Sequence, residues 1–199
     1  MSRWSFLRRV SIRPLAVLVL AGGLAACGQS APEFVGTDIT GTRLGRDLAL
    51  TDQHGKARDL ASFNGKVAVV FFGFTQCPDV CPAALAELAE VKKNLGKQAD
   101  SLEVVMISVD PERDTPEVLK SYVEAFDPSF VGLTGTPAEV KATAGSFKAY
   151  YAPAPQKDGA YSMDHTASFY IFDKKGDARV LAANNIGVAA LTKDVQALM

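Results

Sequence analysis

Hydrophobic and polar positions along this chain change period several times, and each change predicts an element. Residues 66–74, "KVAVVFFGF", are continuously apolar, β-branched and aromatic, which suits a strand buried on both faces. "LEVVMISVD" (102–110) reads as a second strand of the same kind. Between them Leu85, Leu88, Val91 and Leu95 recur at helical spacing, and Gly96 supplies a stop. Thr115 is an N-cap candidate with Pro116 at the first helical position, and Val118, Tyr122 and Phe126 are expected to share that helix's buried face. "FVGLTG" (130–135) is a short strand. Thr136 and Glu139 stand at capping-box spacing before a helix through Val140, Ala144 and Phe147.

Polar punctuation places the rest. Residues 47–63 read as a short hairpin with His54 and Gly55 near its turn, and "APAPQKDGAYSMD" (152–164) as a long loop. Residues 166–184 predict two strands around a Lys-Lys-Gly turn, and 187–199 a closing helix. Strands alternating with helices imply an α/β fold, a central mixed sheet covered on both faces. Ending on an antiparallel hairpin and a helix is the thioredoxin-like order, here with an N-terminal hairpin and an inserted helix-strand unit. There is no internal repeat.

The N-terminus changes the picture. Arg3, Arg8, Arg9 and Arg13 precede an apolar run, "PLAVLVLAGGL", and then "LAAC" ending at Cys27. A basic start, an apolar core of about ten residues and small residues at the cut describe a secretory signal. That core is shorter than the roughly 20 residues of a membrane span. "LAAC" before Gly28 resembles the lipobox of bacterial lipoproteins, in which the cysteine is lipidated and becomes the mature N-terminus. Residues 1–27 are therefore expected to be a lipoprotein signal peptide. Residues 28–45, small and polar, are expected to form a flexible tether, which as a coil would span on the order of 25 Å, with room for some of it to pack on the domain. Residues 46–199 suit one globular domain. Four of the 21 basic residues leave with the signal, so 17 face 22 acidic ones, a net −5. No basic patch remains, which argues against nucleic acid as a partner. Export to an oxidising compartment also favours oxidation of an unprotected thiol pair.

With Cys27 carrying lipid, the remaining cysteines are one pair, Cys77 and Cys81 in "CPDVC", where the first buried strand gives way to its helix. A disulfide closing so small a loop restricts the unfolded chain little, so the pair is a poor staple. A helix N-terminus eases thiol ionisation, and positions i and i+4 lie roughly 6 Å apart, near enough for a disulfide or for one shared ion. Asp79 between them reads first as the helix N-cap, with Pro82 in the first turn. An acid that tunes the thiols or meets a partner is a compatible second role. A metal site needs further donors, and the chain has two histidines. His54 lies in a polar turn and is expected to be solvated. His165 ends the long loop, on the sheet edge that also carries the cysteine turn. It reads either as a hydrogen-bonded loop residue or as a ligand, with Asp164 a candidate to orient the imidazole.

Three separated segments, "FFGFTQCPDVCP", "SVDPERDTP" and "MDHTASFYIFD", together resemble the Sco (SenC) family, thioredoxin-like copper-delivery proteins for cytochrome c oxidase. The resemblance runs from about Leu48 to the C-terminus. It implies that Cys77, Cys81 and His165 are copper ligands, for Cu(I) or Cu(II). It also implies a monomer that receives copper from a periplasmic donor, or electrons from a thiol reductant, and serves cytochrome c oxidase subunit II. The lipobox stands where many members carry a transmembrane helix, implying a membrane-anchored lipoprotein facing the periplasm. Asp110, Pro111, Arg113, Asp114 and Thr115 match a family segment that reads here only as a strand exit and helix cap. The donor types agree: two soft thiolates suit Cu(I), an added imidazole suits Cu(II), and zinc accepts the same set. Two rivals use the same cysteines. One is a thiol–disulfide oxidoreductase that reduces the apo copper acceptor and does not need His165. The other is a peroxidase-like thiol enzyme, which needs an activating cation absent from the motif.

Overall fold

The run at 66–74 lies in the middle of a sheet because both sets of its alternating side chains find a core. The computed structural model describes Met1 and residues 32–157 and 159–199. The expected signal peptide, the lipidation at Cys27 and the first residues of the tether lie outside the described residues.

After a short strand β1 (Thr37–Asp38), β2 (Ala49–Asp52) and β3 (Ala57–Asp59) form the expected hairpin, with His54 and Gly55 in its turn. β4 (Val67–Gly73) leads into α1 (Val80–Leu95), and β5 (Leu102–Ser108) into α2 (Pro116–Val123). β6 (Val131–Thr134) and α3 (Pro137–Ser146) follow, then a separate pair, β7 (Tyr151–Pro155) and β8 (Tyr161–His165). β9 (Ser168–Phe172), β10 (Ala178–Ala183) and α4 (Val188–Gln196) close the chain.

Eight strands make one sheet in the order β1-β10-β9-β4-β5-β6-β2-β3. β4, β5 and β6 are parallel and the remaining pairings antiparallel, giving the expected mixed α/β, thioredoxin-like sheet. Val67, Val69 and Phe71 pack with Leu88 of α1, Leu119 of α2 and Leu191 of α4. Ala68, Val70 and Phe72 pack with Val140 and Ala144 of α3 and with Phe147. Each large apolar side chain buried this way contributes about 1.5–3 kcal/mol, so β4 anchors both layers. The caps form where the sequence places them: the Thr115 hydroxyl accepts the Val118 amide, and Thr136 and Glu139 close a capping box.

Two expectations change and a third sharpens. The loop at 152–164 is largely the β7–β8 hairpin, paired from Tyr151 with His165 to Pro155 with Tyr161. Its prolines are tolerated because a two-stranded ribbon leaves outward edges where no N–H is needed. On α2 the buried positions are Leu119 and Val123, while Val118 is exposed. The helix ends at Val123, so Phe126 lies beyond it and stacks edge-on with Tyr122, both half-buried. Finally, the part of the 28–45 tether that packs on the domain is defined, and it includes the chain from Val35 onward. The buried Asp194 carboxylate accepts the amides of Val35 (2.7 Å) and Gly36 (2.8 Å), and β1 then pairs with β10. A buried carboxylate needs such donors, and the chain end supplies them.

Candidate metal centre

The cysteine turn starts where β4 stops. The Phe74 carbonyl accepts the Cys77 amide at 3.2 Å, closing a turn that delivers the chain to α1. Cys81 is the second residue of that helix, so its N–H is one of the first-turn donors with no partner inside the helix. Cys77 Sγ accepts it at 3.4 Å. Asp79 occupies the N-cap position, but its side chain makes no capping hydrogen bond. Its backbone (φ −143°, ψ −67°) is not the extended form from which a capping carboxylate reaches back, so sulfur takes one of the donors expected for Asp79.

Cys81 is fully buried and Cys77 half-buried, and both are free thiols. Room for the deeper sulfur depends on Gly73, where an added Cβ would sit 2.8 Å from Cys81 Sγ. Burial pushes the Cys81 thiol up, outweighing the help from the helix N-terminus that the sequence suggests for both cysteines. A bound cation reverses that balance, since a coordinated thiol is deprotonated.

His165 arrives from the end of β8. Its Nε2 lies 3.6 Å from Cys81 Sγ, and its ring meets Phe74 edge-on at 5.9 Å. Its Nδ1 faces the Thr166 carbonyl at 3.1 Å. A carbonyl only accepts, so Nδ1 carries the hydrogen there and Nε2 offers its lone pair to the cysteines. The orienting partner is therefore Thr166 and not Asp164. Successive strand residues face opposite sides, and Asp164 is exposed beside the half-buried His165.

Donor atoms of Cys77, Cys81 and His165 all lie within 4.8 Å of one another, the only such group among the described residues. His54 is elsewhere, 3.5 Å from Glu124 and half-exposed. Two thiolates and an imidazole match soft or borderline ions, while a structural zinc site usually supplies four protein donors. The mouth of the group is mixed, with Phe74, Pro78, Val80, Met163 and Ala167 beside the polar Ser162 and Asp164.

The loop from Ser108 to Thr115 carries more than a strand exit. Asp114 is fully buried and accepts from the Thr75 amide (3.1 Å), the Thr75 hydroxyl (2.6 Å) and the Ser108 hydroxyl (2.6 Å). Burial pushes its carboxyl up despite those bonds. Arg113 pairs with Asp110, whose second oxygen accepts the Tyr161 hydroxyl at 2.9 Å. Three acids and an arginine within the five residues 110–114 were the available signal, but it names no partner.

A family model described as SCO1/SenC matches residues 36–199. The SCO2-like protein of Rickettsia felis is 38% identical over 136 residues, covering 67% of this chain and 66% of that protein. The chain spans about two thirds of the Rickettsia felis relative's length and about half of the human mitochondrial SCO1 homologue's. Among solved structures, Bradyrhizobium japonicum ScoI with copper bound is 40% identical with a TM-score of 0.71, covering 82% of this chain and 99% of that one. A SCO1/SenC family lipoprotein from Bacillus anthracis is 27% identical with a TM-score of 0.64, covering 75% and 91%.

Proposed function

The chain belongs to the SCO1/SenC family, and on that footing we propose that it is a copper-binding metallochaperone. It delivers copper to the dinuclear copper centre of cytochrome c oxidase subunit II during oxidase assembly. The observation that carries this reading is the convergence of Cys77, Cys81 and His165 within 4.8 Å. The copper-bound state of the Bradyrhizobium japonicum neighbour supports the choice of ion.

The geometry gives each donor a role. Cys77 and Cys81 lie on one turn and hold Cu(I) by themselves; Nε2 of His165 completes a set suited to Cu(II). Three protein donors leave a position open to an incoming ligand from the acceptor. Half-buried Cys77 is the thiolate nearest solvent, so transfer begins there. Copper is cargo, taken from a periplasmic donor and passed on. The lipobox at Cys27 anchors the mature chain as a lipoprotein facing the periplasm, where it acts as a monomer. Mass spectrometry of the mature N-terminus tests that placement, and an unmodified start elsewhere removes it.

One observation favours a second reading, a thiol–disulfide oxidoreductase that reduces the acceptor's cysteines. Half-buried Cys77 stands beside fully buried Cys81, the arrangement of an attacking and a resolving thiol. The separating experiment is oxidase activity, at limiting copper, in a strain whose only copy carries His165→Ala. Copper delivery predicts impaired oxidase assembly. Full activity, with activity lost in Cys77→Ser and Cys81→Ser, favours the reductase.

A further inference from the structure

The loop from Ser108 to Thr115 gives no donor to the metal group, yet both halves of the group are tied to it. Arg113 Nη1 donates to Gln76 Oε1 at 3.0 Å, on the residue before Cys77. The same nitrogen donates to the Tyr161 carbonyl at 2.9 Å, on the first residue of the strand that ends in His165. The guanidinium lies over the Tyr161 ring, 3.7 Å from its centroid, and Nε pairs with the buried Asp110 carboxylate. Asp110 in turn accepts the Tyr161 hydroxyl. Asp114 holds Thr75 in the cysteine turn from the same loop.

This matters because β7–β8 shares no ladder with the eight-stranded sheet. The thiols are spaced by β4 and α1, whereas the imidazole's distance from them depends on what holds the hairpin. Met163 buries into the core and His165 touches Phe74, but neither contact reaches the turn at Gln76. The guanidinium fork does: its Nη1 donates to both sides while Nε holds Asp110 and the plane stacks on Tyr161. A lysine ammonium has donors enough for both acceptors, but it cannot at the same time pair Asp110 through a second nitrogen and lay a plane on the Tyr161 ring.

We infer that Arg113 is a positioning residue that holds the His165 hairpin against the cysteine turn and thereby sets the site's capacity for Cu(II) relative to Cu(I). The inference rests on the copper reading above and deepens it. Loss of the fork should release the nitrogen donor first and leave the two thiolates together.

The test compares wild type, Arg113→Met, Arg113→Lys and Tyr161→Phe as soluble domains, each checked for folding by thermal melt. Cu(I) and Cu(II) affinities come from chelator competition, with the thiolate-to-Cu(II) absorption band as the spectroscopic readout. Arg113→Met should weaken Cu(II) about tenfold to hundredfold, the usual range for a partner that orients a ligand, and diminish or shift the band. Cu(I) binding should stay near wild type. Arg113→Lys should fall well short of wild type, since an ammonium loses both the Nε pair with Asp110 and the stack on Tyr161 that hold the bridging nitrogen in place. Tyr161→Phe keeps the ring and loses only the Asp110 bond, so a smaller loss of Cu(II) affinity is expected; it carries the test if Arg113→Met does not fold. Hydrogen exchange of the metal-free proteins supplies a readout independent of copper: β7–β8 amides should exchange faster in Arg113→Met while β4 and β5 amides do not change. Wild-type Cu(II) affinity and band in Arg113→Met, full rescue by Lys, or unchanged hairpin exchange would each overturn the inference. If wild type itself binds no copper through Cys77 and Cys81, the copper reading fails, and hairpin exchange alone still decides whether Arg113 positions the hairpin.

Discussion

The donor group joins two regions built in different ways. Cys77 and Cys81 stand between a central strand and a long helix, both packed into the core, and Cys81 is fully buried. His165 stands at the end of a two-stranded ribbon outside the main sheet, between half-buried and exposed neighbours. The thiols are thus spaced by backbone that cannot shift without disturbing the core, while the imidazole is brought in by a ribbon that shares no ladder with the main sheet. A site built so can keep one oxidation state of its ion firmly and gain or lose the donor that the other state requires.

The comparison breaks most severely at the cysteines. Cys77→Ser or Cys81→Ser should lower affinity for both Cu(I) and Cu(II) more than about hundredfold, beyond the cost of losing an orienting partner. Wild-type copper stoichiometry in both single variants would place the site elsewhere.

His165→Ala sharpens the contrast by removing only the hairpin's donor. Cu(II) affinity should fall roughly ten- to hundredfold and the charge-transfer band weaken, with Cu(I) affinity within about threefold of wild type. Equal losses for both ions would show that the two regions act as one rigid unit.

Gly73→Ala probes the rigid side without touching a donor. The new Cβ would meet Cys81 Sγ at 2.8 Å and Met106 Cε at 3.2 Å. Crowding of this kind typically costs about 1–3 kcal/mol, measurable by chemical denaturation, and should weaken both copper ions together. An unchanged midpoint would mean that the cysteine turn yields more readily than its packing indicates.

The smallest expected effect concerns pH at Asp114. Burial pushes its carboxyl above the ordinary range, so the folded chain holds that proton more tightly than the unfolded one. The stability this confers is fully present below the ordinary carboxylate value and is lost as pH rises through the raised one. Wild type should therefore lose stability relative to Asp114→Asn as pH rises above the ordinary carboxylate value of about 4. A gap that widens in wild type's favour would mean that its three hydrogen bonds outweigh burial.

What the residues alone determined was local. The apolar run at 66–74, the caps at Thr115 and Thr136 and the stop at Gly96 depend on backbone preferences and neighbours within one or two turns, and each formed in place. The three-segment resemblance also named the donors that the structure brings together. Tertiary structure decided what depends on residues far apart in the chain. Nε2 of His165 meets Cys81 across 84 positions, and Arg113 joins Gln76 and Tyr161 across 37 and 48. Asp79 and Asp164 flank the donors in sequence yet neither takes the expected bond. One is denied it by a backbone angle and the other by the alternation of a strand. That strand follows a stretch broken by Pro153, Pro155 and Gly159, without a hydrophobic period to announce it. Short-range preference fixes where helices and strands begin, but pairing of polar groups is settled only once packing has chosen which distant acceptors remain within reach.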